Sequence, residues 1–534
     1  MSTVRRVFGG ALFHVPHPHD SAAWLRDTHP HPRLLPATLV SGTGLFMLGV
    51  NTTGINTALR GMAEDLGMGT VALGWAVGVY MLTVAAMVVP GGRLGDILGQ
   101  RVTIVTGSVV FAGGAVVVAS ADSELLLILG RILQGVGAAA LMPSTMAVLR
   151  IVWPRERQGV ALGLWGAVAG LAFAVGPLIG GAFTDGPSWR WLWWASALWA
   201  LSVALLAGLA LPGLPHGRKE HAVDVSGTLL LAFSLGALLV GLQQIPAWGL
   251  TSPATLTALS VAVGGLAMLV RVESRSAAPV LHLRLLKKPP LVAACLGTAV
   301  NTLFLIGFLY FFNLYAQSPE TLAFSAVTAS VALLPYGACV FAVSMAIGSL
   351  CDHVGYRWPV AAGIALTGAG SLWLSKVGAH SGYDAIWPGT LVLGVGVGTT
   401  LSAPSAAGLG ALAGTHAGEA SGIINVARYV TAALVVSVGT LGFLAAGSER
   451  LNSSLDEAGT PRPGNTAVDQ LLSGASRPAE HLLDEPHGQA LRQATADALS
   501  HGFASVMFWL GVLALIATPL WLVLMGPSRG RRPH

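Results

Sequence analysis

Apolar residues run through this chain in long blocks separated by short polar segments. Fourteen such blocks can be marked off, at 36–59, 70–90, 102–120, 124–150, 158–183, 191–211, 226–244, 252–270, 291–313, 323–350, 358–378, 386–412, 420–446 and 503–526. Each is near the ~20 residues that a helix needs to cross a bilayer. A chain in lipid must satisfy its own backbone hydrogen bonds, so runs of this length and composition predict helices. The longest of them predict tilt, or extension beyond the bilayer. The pattern therefore predicts an all-α membrane protein with fourteen transmembrane helices.

Composition narrows the class further. Of the 534 residues, 53% are hydrophobic and 10% charged, against roughly 25% charged in an average soluble domain. That excludes a soluble enzyme, and no catalytic residue is assigned. With the N-terminus inside, interior segments hold twenty of the 29 Lys and Arg residues. Exterior segments hold seven, namely Arg60, Arg190, Lys376, Arg450, Arg462, Arg477 and Arg492, while Arg131 and Arg428 fall within spans. Basic residues collect on the cytoplasmic side, so both termini are expected inside the cell membrane. The net charge of +5 is then a matter of topology, and no nucleic-acid partner is implied. Cys295, Cys339 and Cys351 have no paired spacing, so neither a disulfide framework nor a zinc site is expected. The first apolar run starts near residue 36, which argues against a cleavable signal peptide. The His- and Pro-containing residues 1–35 read as a disordered cytoplasmic tail rather than a metal site. No cofactor and no metal are expected.

One ten-residue skeleton occurs twice. Gly92, Leu94, Asp96, Gly99 and Arg101 match Gly348, Leu350, Asp352, Gly355 and Arg357 at identical offsets, each set between two apolar runs. The coincidence argues for an internal repeat, with tandem halves around a central path as in transporters. The glycines permit tight turns, Asp96 can accept hydrogen bonds at a helix N-terminus, and Arg101 can pair with a carboxylate or with helix-end carbonyls. This corner resembles the signature loop of the major facilitator superfamily. The resemblance implies that Gly92, Asp96, Gly99 and Arg101, with Asp352 and Arg357 in the second copy, latch the halves in one of two states.

Further stretches extend the likeness to the fourteen-span drug:proton antiporter branch, the multidrug resistance efflux family. Thr53, Asn56, Ala58 and Leu59 fit its first-span motif, with Asn51 where that family has an acid and Arg60 where it has proline. Asn51 and Asn56 either meet substrate or bond to neighbouring helices. Trp75 and Tyr80 match the next span. Arg131, Gln134 and Gly135 share one helical face, and an arginine within a membrane is expensive enough to suggest function. Their spacing resembles the fourth-span motif of proton-coupled facilitators, which implies that Arg131 and Gln134 serve proton coupling. Gly176, Pro177, Gly180 and Gly181 resemble the antiporter motif found in exporters. Asn301, Phe304, Phe308, Phe312 and Tyr315 form a stripe that either lines a pocket or packs against helices, and Ala420, Ser421, Gly422 and Arg428 again resemble the family.

The expected organisation is a tail (1–35), a six-helix bundle (36–211), linkers with two inserted helices (212–290), a second six-helix bundle (291–526) with an external loop (447–501), and a short tail (527–534). The likeness implies a monomeric exporter of small, largely apolar drugs or antibiotics in exchange for protons. A substrate pocket would use Asn51, Thr53, Asn56, Trp75, Tyr80, Asn301, Phe304, Phe308 and Arg428. A dedicated exporter of a neutral or anionic metabolite is the alternative within transport. A transport-dead sensor or scaffold is the alternative outside it.

Overall fold

The computed structural model describes residues 34–154, 158–186, 188–211, 225–274, 283–379, 381–410, 417–472 and 488–526. The expected tails and the linker at 212–224 lie outside the described residues. In chain order the main helices are α1 (Leu34–Leu66), α2 (Thr70–Leu98), α3 (Gln100–Ala119), α4 (Glu124–Val152), α5 (Gln158–Thr184), α6 (Trp191–Ala210), α7 (Val225–Gln243) and α8 (Pro253–Glu273). Then come α9 (Pro289–Gln317), α10 in two segments (Ala326–Ala332 and Leu334–Val354), α11 (Arg357–Leu374), α12 in two segments (Tyr383–Thr400 and Ala403–Gly410), α13 (Ala417–Glu457) and α14 (Gly488–Met525). Each of the fourteen apolar runs overlaps one of these helices over its described residues, and no strand occurs among them. By length and composition alone, eleven described helices can cross a membrane, and two shorter apolar ones join them.

The chain is a multi-pass membrane protein, and its surface reflects that solvent. Leu198, Leu209, Met345, Ile516 and Val523 are each at least 60% exposed, which suits lipid rather than water. Within the largely apolar core, buried Ser41, Thr53, Asn56, Thr367 and Thr390 stand at helix contacts, as expected where helices associate through close backbone approach and interhelical hydrogen bonds.

Packing repeats as the sequence does. Helix α3 packs on α4, α2 on α4, α3 on α6 and α1 on α5. Eight helices later, α11 packs on α12, α10 on α12, α11 on α14 and α9 on α13. Both corners turn through a glycine in the left-handed region, Gly99 at φ +90° and Gly355 at φ +80°. A side chain at either would be strained, which explains why the repeat holds glycine there. The close approach of α3 to α4 also recurs. A Cβ at Gly137 would lie 2.6 Å from the Gly107 carbonyl oxygen, and one at Gly396 would lie 2.5 Å from the Thr367 nitrogen. Helices α7 and α8 pair with each other, and α7 leans on α2 and α13.

The expected loop at 447–501 is largely helical where it is described. Helix α13 continues to Glu457, α14 begins at Gly488, and a short helix spans Asn465–Leu472. The 41 residues of α13 reach about 60 Å at 1.5 Å per residue, twice the hydrocarbon thickness. Leu451, Leu455 and Leu472 are fully buried beyond the apolar run and join the main hydrophobic core, so the extension packs on the bundle.

Between the α1–α6 and α9–α14 groups, α2 packs along α13 from Gly74 beside Thr440 to Val89 beside Gly422, while hydrogen bonds between the groups cluster at the end of the bundle that carries Arg60. There Arg60 donates to the Gln317 carbonyl at 2.7 Å, and Tyr310 Oη donates to the Thr70 carbonyl at 3.3 Å. The Asp185 carboxylate accepts from the Ala326 and Val327 amides, both at 2.9 Å. Ser330 Oγ donates to the Pro177 carbonyl at 2.7 Å. Beside them Asp469 of the short helix accepts from the Thr70 amide at 3.0 Å.

Candidate functional site

Where the two groups of helices meet at mid-depth, they enclose a cavity offering about 100 Å³ to the centres of water molecules. One wall carries Leu48 and Thr52 of α1, Tyr80 of α2, Met142 of α4, and Trp165 and Phe173 of α5; the other carries Asn301 and Leu305 of α9 with Arg428 and Tyr429 of α13. The lining is largely apolar and aromatic with a few convergent polar groups, which is the usual make-up of a small-molecule site. The Tyr429 hydroxyl reaches across to the Met142 sulfur at 2.7 Å, closing the cavity on one side.

Arg131 lies one layer behind this wall and is fully buried. Its Nε donates to the Ala76 carbonyl at 2.9 Å, its Nη1 donates to Gln134 Oε1 at 2.9 Å, and its guanidinium sits 4.3 Å from the centre of the Tyr80 ring. Gln134 Nε2 then donates to Asn51 Oδ1 at 3.2 Å, and Asn51 Nδ2 donates to Ser196 Oγ at 2.6 Å. Ser196 Oγ donates in turn to the Leu192 carbonyl at 2.6 Å. Tyr80 thus forms cavity wall on one face and a cation–π partner on the other. The chain of polar groups runs from α4 through α1 to α6, and Arg131 Nη2 has no partner among the described residues.

Three of the residues expected in a pocket line the cavity: Tyr80, Asn301 and Arg428. Asn301 also donates to the Val397 carbonyl at 2.9 Å, so α12 fixes its orientation. The others stand elsewhere. Asn51 belongs to the Arg131 network, Thr53 donates to Gly49 of its own helix, and Asn56 donates to the Thr53 carbonyl. Trp75 packs against the core. Phe304 and Phe308 are fully buried, and Phe308 lies against Phe312 and Tyr336 with ring centres 5.4 and 5.1 Å away. Phe312 shares its helix, but Tyr336 comes from α10, a neighbour that a single-helix stripe does not reveal. Thr52, Met142, Trp165, Phe173 and Tyr429 were not foreseen as lining residues, because they come from four helices with no shared motif.

The glycines of the antiporter-like stretch serve two separate interfaces. A Cβ at Gly180 would lie 2.4 Å from the Gly54 carbonyl oxygen, and one at Gly176 would lie 2.0 Å from Thr53 Oγ1, both on α1. One at Gly181 would lie 2.6 Å from the Ala326 carbonyl oxygen and from Ser330 Oγ, across the divide on α10. Pro177 lies within α5 and offers its carbonyl to Ser330.

At the opposite end stand the two corners. Gly92 lies against Pro143 of α4, where an added Cβ would stand 3.5 Å from the proline Cβ, in ordinary contact. Arg101 donates to the Gly208 carbonyl near the end of α6, the helix-end partner its position suggested. In the second copy the Arg357 carbonyl accepts from Trp521 Nε1 of α14 at 2.9 Å, so α11 and α14 are tied as α3 and α6 are. The side chains of Asp96 and Asp352, expected in the latch, lie outside the described atoms, as does that of Glu419. Among the described residues there is no group of three His, Cys, Asp or Glu placed to hold a metal.

Known proteins place this architecture. The chain is 28% identical to a tetracenomycin C resistance and export protein from Streptomyces glaucescens, covering 94% of this chain and 93% of that one. It is also 28% identical to the multidrug resistance protein Stp of Mycobacterium tuberculosis, covering 83% and 82%. Its fold matches the crystal structure of a bacterial homolog of the human lysosomal transporter Spinster with a TM-score of 0.65, over 95% of this chain and 97% of that one at 13% identity. The family model described as the Major Facilitator Superfamily matches residues 39–436. With its twice-built corner, its repeated helix packing and a family match over most of its length, the chain belongs to the major facilitator superfamily.

Proposed function

We propose that this protein exports small, largely apolar drugs or antibiotics across the cytoplasmic membrane by alternating access. The observation that carries the reading is a cavity lined by both helical groups, with a cluster of hydrogen bonds between the groups at the Arg60 end. Breaking those contacts while forming others at the corner end would expose the same cavity to the opposite side. The named activities of the relatives support export: one is a resistance and export protein, another a multidrug resistance protein. The basic-residue distribution supports an orientation with the Arg60 end outside and both termini inside. On this reading Gly92, Asp96, Gly99 and Arg101, with Asp352 and Arg357, hold the outward-facing state, and a monomer suffices because the cavity is complete within one chain.

Exchange with protons is the second part of the proposal, supported by the buried network around Arg131 and Gln134. Arg131 stays charged at any ordinary pH, so it would tune water or a neighbouring group rather than titrate. The test is efflux of a chemically varied panel from cells of a drug-sensitive host, with and without an uncoupler. We expect lower accumulation of some panel members in expressing cells and loss of that difference on collapsing the proton gradient. Equal accumulation with and without the protein removes the export reading; gradient-independent efflux removes only the coupling.

A further inference from the structure

The two membrane arginines differ in one respect that bears on substrate. Arg131 is held away from the cavity by hydrogen bonds to a carbonyl and a glutamine and by an aromatic face. Arg428 reaches the central cavity, and its buried Nε has no partner among the described residues. No aspartate or glutamate is found among the described residues lining that cavity. A guanidinium in a mostly apolar chamber loses hydration without a counter-charge, a costly arrangement unless something else supplies it. Around it stand Tyr80, Trp165, Phe173 and Tyr429, whose faces and edges suit a flat ring system. Arginine is also the cation whose planar fork best matches a carboxylate in two hydrogen bonds.

We propose that Arg428 is the substrate's anchor, and that the preferred substrates are aromatic molecules carrying an acidic group, a carboxylate or an ionised phenol. The aromatic walls take the ring system and the guanidinium takes the anionic oxygens. Asn301, held by the Val397 carbonyl and by Thr400 Oγ1 at 2.9 and 3.2 Å, offers its amide oxygen on the same wall to a hydroxyl. This inference rests on the export reading and names the chemistry of its cargo. Permanent cations should be the poorest ligands, because they would meet an uncompensated positive charge at close range.

The test uses the purified full-length protein and three matched probes: tritiated naphthalene-2-carboxylate, its methyl ester and 2-naphthylmethylammonium. Equilibrium binding is measured for the native protein, for Arg428→Gln and for Arg428→Lys. We expect the native protein to bind the carboxylate at least tenfold more tightly than either analogue, the effect of one hydrogen-bonded charge pair. Arg428→Gln should remove that preference while leaving ester binding within about threefold, which also shows that the variant folds. Arg428→Lys should retain a smaller preference, because it keeps the charge and loses the fork. Equal binding of the three probes to the native protein overturns the proposal, as does absence of carboxylate binding. So does a preference that survives in Arg428→Gln. Efflux of any neutral panel compound in cells reports on export separately, so the two readings can fail independently.

Discussion

Replacing Gly181 with alanine should push the protein out of the state seen here. A Cβ at that position falls 2.6 Å from the Ala326 carbonyl oxygen and 2.9 Å from its carbonyl carbon, about 0.8 Å inside ordinary contact at 3.4 Å. Backbone atoms cannot rotate away as a flexible side chain can, so α5 and α10 would have to separate. Overpacking of this kind costs about 1–3 kcal/mol. The contact joins helices from the two groups at the Arg60 end, so the cost falls on the closed state and not on one in which that end has opened. A differential of that size shifts the equilibrium about 5- to 150-fold toward opening.

Thr52 lines the cavity and is only 9% exposed, so a cysteine there reports access from the Arg60 end. In a background with Cys295, Cys339 and Cys351 replaced, labelling of Thr52→Cys by an impermeant thiol reagent in right-side-out vesicles should rise severalfold or more when Gly181→Ala is added. Two neighbouring glycines provide contrast. Gly180 meets Gly54 and Thr57 of α1, within one group, so Gly180→Ala should lower thermal stability without changing labelling. Gly170 has its nearest neighbour, in Phe341, 4.0 Å away, and Gly170→Ala should change neither. Unchanged labelling in a stable Gly181→Ala protein refutes the argument that this contact closes the cavity.

Three other perturbations follow from the same geometry. Asp185→Ala removes the acceptor for two amides at the head of α10, a loss of about 1–2 kcal/mol; labelling of Thr52→Cys should rise roughly 5- to 30-fold, and no rise would mean the clamp is dispensable. Burial holds the Asp469 carboxyl above its usual range, although its bonds to Thr70 and Val71 pull the other way. The docked form therefore binds its proton more tightly than the free segment, so docking of the 465–472 helix is strongest below the ordinary aspartate value and weakens as pH rises through the raised one. Glu124 and Tyr310 are close enough to interact with this charge. A spin label at Ala467→Cys should become more mobile with rising pH in the native protein, but not in Asp469→Asn. Asn51→Asp would place a carboxylate on Gln134 and Ser196, one residue from Arg131; transport should then depend more steeply on external pH and shift toward cationic dyes, and identical profiles for the two proteins would make Asn51 a packing contact.

Much of this molecule is written in one dimension because lipid imposes a local rule. Each run of about twenty apolar residues must close its own hydrogen bonds, so the helices at 70–90 or 291–313 need no knowledge of their neighbours. The repeated corner is legible for the same reason: Gly99 and Gly355 occupy left-handed conformations that only glycine adopts without strain, wherever the rest of the chain lies. Arg131 and Gln134 could be paired from their three-residue spacing, and the structure places them 2.9 Å apart. What no spacing reveals is the partner on another helix. That Asn51 completes the Arg131 network rather than lining the cavity depends on how α1 is rotated against α4 and α6. The stretch 447–501 reads as loop because its apolar residues are too sparse for lipid, yet Leu451 and Leu455 on the extended α13 and Leu472 on the short helix are buried in the bundle core. The division between Gly180 and Gly181, one residue apart and facing different groups of helices, is likewise a property of the assembled bundle. Local hydrogen-bond closure determined where the helices are; the directions in which their faces point were decided only by packing, and it is those directions that set Arg428 in the cavity and Arg131 behind its wall.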